Sequence, residues 1–81
     1  MKNLIPTNSQ KSFYGKAKVI YDDSAILLKS YNTIVCKIDK GEFTRTWGGY
    51  SATTMKHINS FRETYGMPRL SKADWDKLTV A

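Results

Sequence analysis

The stretch 47-WGGYSATTMKHINSF-61 gathers the residues of this chain best suited to chemistry. Gly48-Gly49 leads into Ser51, Thr53 and Thr54, and His57, the chain's single histidine, follows. Two chemistries could use such a set. Nucleophilic catalysis needs a hydroxyl or thiol, a base, and a group that orients the base. Anion binding needs free N–H groups at a helix start, glycines that allow close approach, and hydroxyl donors. Gly49, Ser51, Thr53 and Thr54 are the candidate anion contacts. The segment lacks the lysine of a Gly-x-x-x-x-Gly-Lys-Ser/Thr phosphate loop. A structural reading therefore leads. The glycines turn the chain, Trp47 and Tyr50 flank the turn, and Ser51 caps a helix whose first-turn N–H groups need partners.

The catalytic alternative finds no support elsewhere in the chain. His57 falls between apolar Met55, Ile58 and Phe61 and polar Lys56, Asn59 and Ser60, the position of a packed histidine rather than a base. Cys36 shares a strand face with Ile34 and Ile38 and reads as a small buried hydrophobe. A zinc site wants about four Cys or His ligands, and the chain has one of each. Asp22-Asp23 is a turn pair, and Asp74 and Asp76 lie at a helix start. The expectation is a non-enzyme with no cofactor and no metal.

The elements that position these residues follow from periodicity. Residues 13–21 read as a strand with Phe13, Ala17, Val19 and Tyr21 on one face and Lys16, Lys18 and Ile20 on the other. After the turn at Asp22-Asp23-Ser24, residues 25–30 form a second strand. Residues 33–39 form a third, or continue the second past Tyr31-Asn32. Asp39-Lys40-Gly41 turns into a last strand over 42–47. The period then changes: Ala52, Met55, Ile58, Phe61 and Tyr65 mark an amphipathic helix, with Ser51 as N-cap, Gly66 at C′ and Pro68 beyond. Ser71 caps a short second helix, and Leu70 and Trp75 have hydrophobic-staple spacing. Residues 1–12 read as a partly flexible lead and 13–81 as one domain. The fold class is α+β, a three- or four-stranded antiparallel sheet with one main helix packed on a face and a short C-terminal helix.

The charge is the other informative feature. Thirteen Lys and Arg against seven Asp and Glu give +6 on 81 residues. Such a domain attracts polyanions and acidic surfaces alike. If the helix covers one sheet face, the opposite face collects Lys16, Lys18, Lys29 and Lys37, with Tyr31 nearby as a stacking residue. Arg45 joins them if the last strand has that register, although Phe43 and Trp47 share its parity. A basic face with an aromatic suits a nucleic-acid backbone; the same lysines also keep a sheet soluble and block edge pairing. One cysteine, no apolar leader and no run of ~20 apolar residues point to a cytoplasmic protein without a membrane segment.

The segments 30-SYNTIV-35 and 47-WGGYSATTMKHINSF-61 resemble a set of short uncharacterised proteins from phages, plasmids and integrative elements of Gram-positive bacteria, over about residues 12–78. The resemblance implies a mobile-element accessory protein. It carries over no catalytic residue. Together with the charge, it sets two expectations: nucleic-acid binding through the lysine face, or inhibition of a host enzyme such as a CRISPR or other defence nuclease. Homodimerisation through an exposed sheet edge is a third.

Overall fold

The structure, a computed structural model, describes residues 2–7 and 13–81. It is an α+β fold. Five strands, β1 (Lys2–Asn3), β2 (Ala17–Asp22), β3 (Ala25–Ser30), β4 (Thr33–Asp39) and β5 (Glu42–Arg45), form one antiparallel sheet in chain order. Helices α1 (Ala52–Thr64) and α2 (Lys72–Lys77) follow.

The strand beyond the expected three or four is β1, which lies in the stretch expected to be a flexible lead. Lys2 and Asn3 pair with Val19 and Lys18, Leu4 is 5% exposed in the core, and Leu4 N donates to Ala17 O at 2.9 Å. Thr7 N donates to Ser60 Oγ at 3.1 Å, and Thr7 Oγ1 to Glu63 Oε1 at 2.9 Å. A two-residue strand has no period to detect, so composition alone suggests a lead. Residues 1 and 8–12 of that lead lie outside the described residues.

Three two-residue turns connect β2 to β5. Asp22 pairs with Ala25, Ser30 with Thr33 and Asp39 with Glu42. Tyr31-Asn32 is thus a hairpin turn, not a bend within one strand. Lys40 (φ 53°) and Gly41 (φ 83°) are both left-handed, the type I′ geometry that matches strand twist. Strand β2 is shorter than its alternation suggests. Phe13 to Lys16 instead makes a tight turn, with Tyr14 at φ 53°, Gly15 at φ 76° and Lys16 N donating to Phe13 O at 2.9 Å.

A β-bulge sits in β4. Leu28 pairs with Cys36, but Lys29 pairs with Ile34, leaving Val35 as the extra residue. Its carbonyl accepts from both Thr46 N (3.0 Å) and Trp47 N (3.2 Å). One extra residue inverts the side-chain parity beyond it. Val35 is therefore buried at 1% exposure, while Ile34 shares the outer face with Lys29 instead of joining Cys36 and Ile38.

On the inner face Ala17, Val19, Leu28, Cys36 and Ile38 meet Met55, Ile58 and Phe61 of α1 and Trp75 of α2. The caps are those the sequence predicts. Ser51 Oγ accepts from Thr54 N at 3.0 Å, Ser71 Oγ accepts from Asp74 N at 3.1 Å, and Gly66 takes φ 81° just past α1. Asn59 and Ser60, expected on the polar face of α1, are buried. The amide of Asn59 pairs with the backbone of Leu70 (Nδ2 to O 3.2 Å, Leu70 N to Oδ1 2.7 Å), and Ser60 lies under Thr7.

Candidate nucleic-acid interface

The 47–61 segment is built as a structural joint. Gly49 O accepts from Trp75 Nε1 at 2.9 Å and from Arg45 Nη2 at 3.3 Å, tying the joint to α2 and β5. Ser51 Oγ is committed to its cap. Thr54 is buried, its Oγ1 3.2 Å from Ser30 Oγ, which in turn lies 2.8 Å from His57 Nδ1. Of the four candidate anion contacts, only Thr53 is fully on the surface. Gly49 presents a carbonyl, Ser51 serves its cap and Thr54 points into the core. The arrangement satisfies polar groups rather than offering donors to a ligand.

The two glycines have different reasons. A Cβ on Gly49 would lie 2.5 and 2.7 Å from carbons of the Trp47 ring, whereas one on Gly48 would meet Val80 Cγ2 at an ordinary 3.7 Å. Neither has a left-handed φ. What Gly49 allows is close approach of the indole, not the chain reversal expected of the pair. Gly49→Ala should therefore lower stability by about 1–3 kcal/mol by overpacking. Gly48→Ala should stay within about 0.5 kcal/mol of the parent. Urea denaturation of the two variants side by side checks this.

Arg45 does not join the lysine face. Its partner across the sheet is Cys36, on the inner face, and it is 6% exposed. Its Nε donates to Trp47 O at 2.8 Å and its Nη1 to Trp75 O at 2.7 Å, while the guanidinium carbon lies 4.3 Å from the Trp75 ring centre. The parity it shares with Phe43 decides its face. Arg62 is similarly engaged, stacked at 4.4 Å over Phe43 with Nε donating to Pro68 O at 2.9 Å.

The outer face is not uniformly basic. Register places its side chains in three rows across the strands. The first is Asn3, Lys18, Lys29 and Ile34; the second is Ile20, Leu27, Lys37 and Thr44; the third is Asp22, Ala25, Asp39 and Glu42. Positive charge thus concentrates at one end of the sheet and negative charge at the other. Lys37 shares the face but stands one row from the acids.

At the basic end Lys18 and Lys29 are direct cross-strand partners. Among the described residues, the ion pairs are Arg69 with Glu63 and Lys72 with Asp76, and neither involves this end. Lys16 lies just before β2, exposed, with Nζ 5.7 Å from the Tyr31 ring centre. Tyr31 N donates to Lys16 O at 2.7 Å, which docks the Tyr31 turn against the Phe13–Lys16 turn. Tyr31 is 49% exposed. The structure pairs Lys18 with Lys29 on the outer face and, at the same end of the sheet, sets Lys16 beside Tyr31, whose ring lies on the α1 side 5.8 Å from that of His57; Tyr14, 77% exposed, sits in the neighbouring turn. The sequence conceals Tyr14 because Phe-Tyr-Gly fits the alternation of a strand; the following glycine is the turn signal.

Neither sheet edge is a long bare strand. Strand β1 has two residues, and Val80 bridges β5 at Arg45 with Ala81 N donating to Arg45 O at 2.8 Å. Among the described residues, no helix is long and apolar enough to cross a membrane, and no three His, Cys, Asp or Glu side chains gather as a metal site.

No curated protein and no solved structure matches the chain. A family described as a family of unknown function (DUF8033) matches residues 2–77, which takes in the sheet, α1 and α2. The chain belongs to this family of unknown function.

Proposed function

We propose that this chain is a non-enzymatic accessory protein that binds nucleic acid in the cytoplasm, with Lys16, Lys18 and Lys29 on the phosphates and Tyr31 beside them. The observation that carries the reading is the Lys18–Lys29 pair. Like charges directly opposite each other on a sheet destabilise it, and here no carboxylate among the described residues relieves them. An external polyanion supplies the missing counter-charge. The resemblance to proteins of phages, plasmids and integrative elements favours such an accessory role. The outer-face rows narrow the surface to one end of the sheet, away from Asp22, Asp39 and Glu42.

Fluorescence anisotropy with labelled oligonucleotides tests this. The double variant Lys18→Glu, Lys29→Glu should lose at least about tenfold in affinity, and the slope of log affinity against log salt should shrink by about one for each phosphate that is no longer neutralised. Lys40→Glu with Lys77→Glu makes the same change in net charge at exposed sites outside the basic row and should cost less than about threefold. Equal losses in both doubles would mean only generic attraction. A parent protein that binds no oligonucleotide, but forms a nuclease-resistant complex with a host enzyme, would establish the inhibitor reading instead.

A further inference from the structure

We infer that a nucleic-acid backbone crosses the outer face along the Lys18–Lys29 row, across the strands rather than along them, and that the carboxylates at the other end of the sheet set this path by repulsion. The inference rests on the nucleic-acid reading above and adds the direction of the bound backbone and the residues that fix it. Its starting point is the order of charge along each strand. On the outer face β2 runs from Lys18 through Ile20 to Asp22, while β3 runs from Ala25 through Leu27 to Lys29. Strand β4 runs from Ile34 through Lys37 to Asp39. The order of charge reverses between β2 and β3 as the chain direction does, so the two signs gather at opposite ends of the face.

Solubility does not explain this order. Opposite charges directly across a ladder stabilise a sheet and like charges destabilise it. Here Lys18 stands opposite Lys29, and Asp39 stands opposite Glu42. Both end rows carry a like-charge pair where exchanging one residue would give an attractive one. Neither ion pair among the described residues involves Asp22, Asp39 or Glu42. Ser24 Oγ donates to Asp39 Oδ1 at 2.9 Å, which holds that carboxylate in place. The lysines of the acidic half, Lys37 and Lys40, line one hollow with Asp39 and Glu42, so their charge is partly offset there. A face that separates its charges in this way presents an oriented field to an external ion.

Spacing turns the field into a direction. Side chains on one face recur every second residue, about 7 Å along a strand, so the end rows stand about 13 Å apart. Screening at physiological ionic strength acts over about 8 Å. A backbone on the basic row is therefore little affected by the acids. One laid along the strands would leave the lysines, pass Ile20 and Leu27, which offer a phosphate no donor, and bring its phosphates onto Asp22, Asp39 and Glu42. Along the row it meets uncharged Asn3 on one side of the lysines and uncharged Ile34 on the other. From β1 to β4 the row spans about 14 Å, the length of about four stacked nucleotides at about 3.4 Å each.

The test uses the full chain with labelled oligothymidylates of four and sixteen nucleotides, read by anisotropy across salt concentration. Asp39→Asn with Glu42→Gln keeps the side-chain sizes and an acceptor for Ser24, and removes a like-charge pair, so the melting temperature should hold or rise. Affinity for the four-nucleotide strand should stay within about twofold of the parent. Affinity for the sixteen-nucleotide strand should rise about threefold or more, with a salt slope steeper by about 0.7 as Lys37 takes up one further phosphate. Asp22→Asn, which leaves the β4–β5 turn untouched, should act in the same direction by a smaller factor. Asp74→Asn with Asp76→Asn removes the same charge from exposed positions on α2 and should leave both lengths within about twofold. A rise equal at both lengths, or equal in the α2 variant, would mean that net charge acts generically and would exclude a directed path. If Asp39→Asn with Glu42→Gln changes neither length while Lys18→Glu with Lys29→Glu abolishes binding, the acids set no path and the phosphate reading survives. If the lysine variant binds as well as the parent, or the parent binds neither strand, both readings fall.

Discussion

Replacing Arg45 with leucine should lower the stability of the fold by about 2–4 kcal/mol. Total stability for a domain of this length is about 4–12 kcal/mol, so the variant should lose a large share of it. The effect does not come from a broken ion pair. The guanidinium is buried and bonded to three carbonyls: Trp47 O at 2.8 Å, Trp75 O at 2.7 Å and Gly49 O at 3.3 Å. Trp75 O also accepts from Leu78 N at 3.1 Å, and Gly49 O also accepts from Trp75 Nε1 at 2.9 Å, so Trp47 O is the carbonyl that depends most on the guanidinium. Leucine fills much of the volume but leaves Trp47 O unpaired and takes one of two donors from Trp75 O and from Gly49 O, at about 1–3 kcal/mol for a buried group that finds no water. The stacking on Trp75 goes as well, although the Trp75 Nε1 bond to Gly49 O can survive. Lysine keeps the charge but not the fork, so Arg45→Lys should recover less than half of the loss. Urea denaturation of both variants, followed by tryptophan fluorescence, checks this. A leucine variant within about 1 kcal/mol of the parent would show that the joint 46–50 and α2 hold together by packing alone.

Arg45 also marks the limit of what the sequence discloses. Its parity with Phe43 is visible and points inward. The demand that makes a buried cation tolerable is not, because that demand comes from carbonyls up to 33 residues away. Local chemistry is legible throughout. Ser51, Gly66 and Ser71 announce the helix ends because capping depends on a residue and its near neighbours. Lys40-Gly41 announces its turn for the same reason. Features that break a period are not legible. The bulge at Val35 inverts Ile34, and nothing in Thr-Ile-Val-Cys distinguishes a bulged strand from a regular one. Strand β1 is too short to carry a pattern. At the candidate site, alternation correctly puts Lys18, Lys29 and Lys37 on one face. Only register shows that Lys18 and Lys29 stand opposite each other while Lys37 lies beside the acidic row. Tyr14 continues the alternation of the strand that follows it, which conceals the second exposed ring. Asn59 and Ser60 look like surface residues because their covers, Leu70 and Thr7, are distant in sequence.

The fold should lose stability as pH falls below 6.5, and His57 should be the cause. The imidazole is 1% exposed, with Nδ1 2.8 Å from Ser30 Oγ and its ring edge-on to Phe13 at 4.5 Å. Burial pushes its pKa below the ordinary 6.5, and the Lys16 ammonium lowers it further. Above pH 6.5 the histidine is neutral in both folded and unfolded chains, so its full contribution to stability is present. Below 6.5 the unfolded chain takes up a proton that the folded chain refuses, and each bound proton tilts the balance toward unfolding. The slope can reach about 1.4 kcal/mol per pH unit for one proton. It persists until pH reaches the depressed folded value, where the two states bind equally. No second histidine exists to confuse the profile. His57→Gln removes the titration while keeping a polar group beside Ser30. It should be less stable than the parent at pH 7.5, because no ring then packs on Phe13, yet nearly flat between pH 7 and 5.5. Lys16→Gln should leave most of the slope in place, because burial is the larger cause and charge the smaller. Denaturation midpoints of the three proteins across this range separate the two causes. A parent profile as flat as that of His57→Gln would mean that the ring accepts its proton without leaving the core, with Ser30 and Thr54 reorienting their hydroxyls around it.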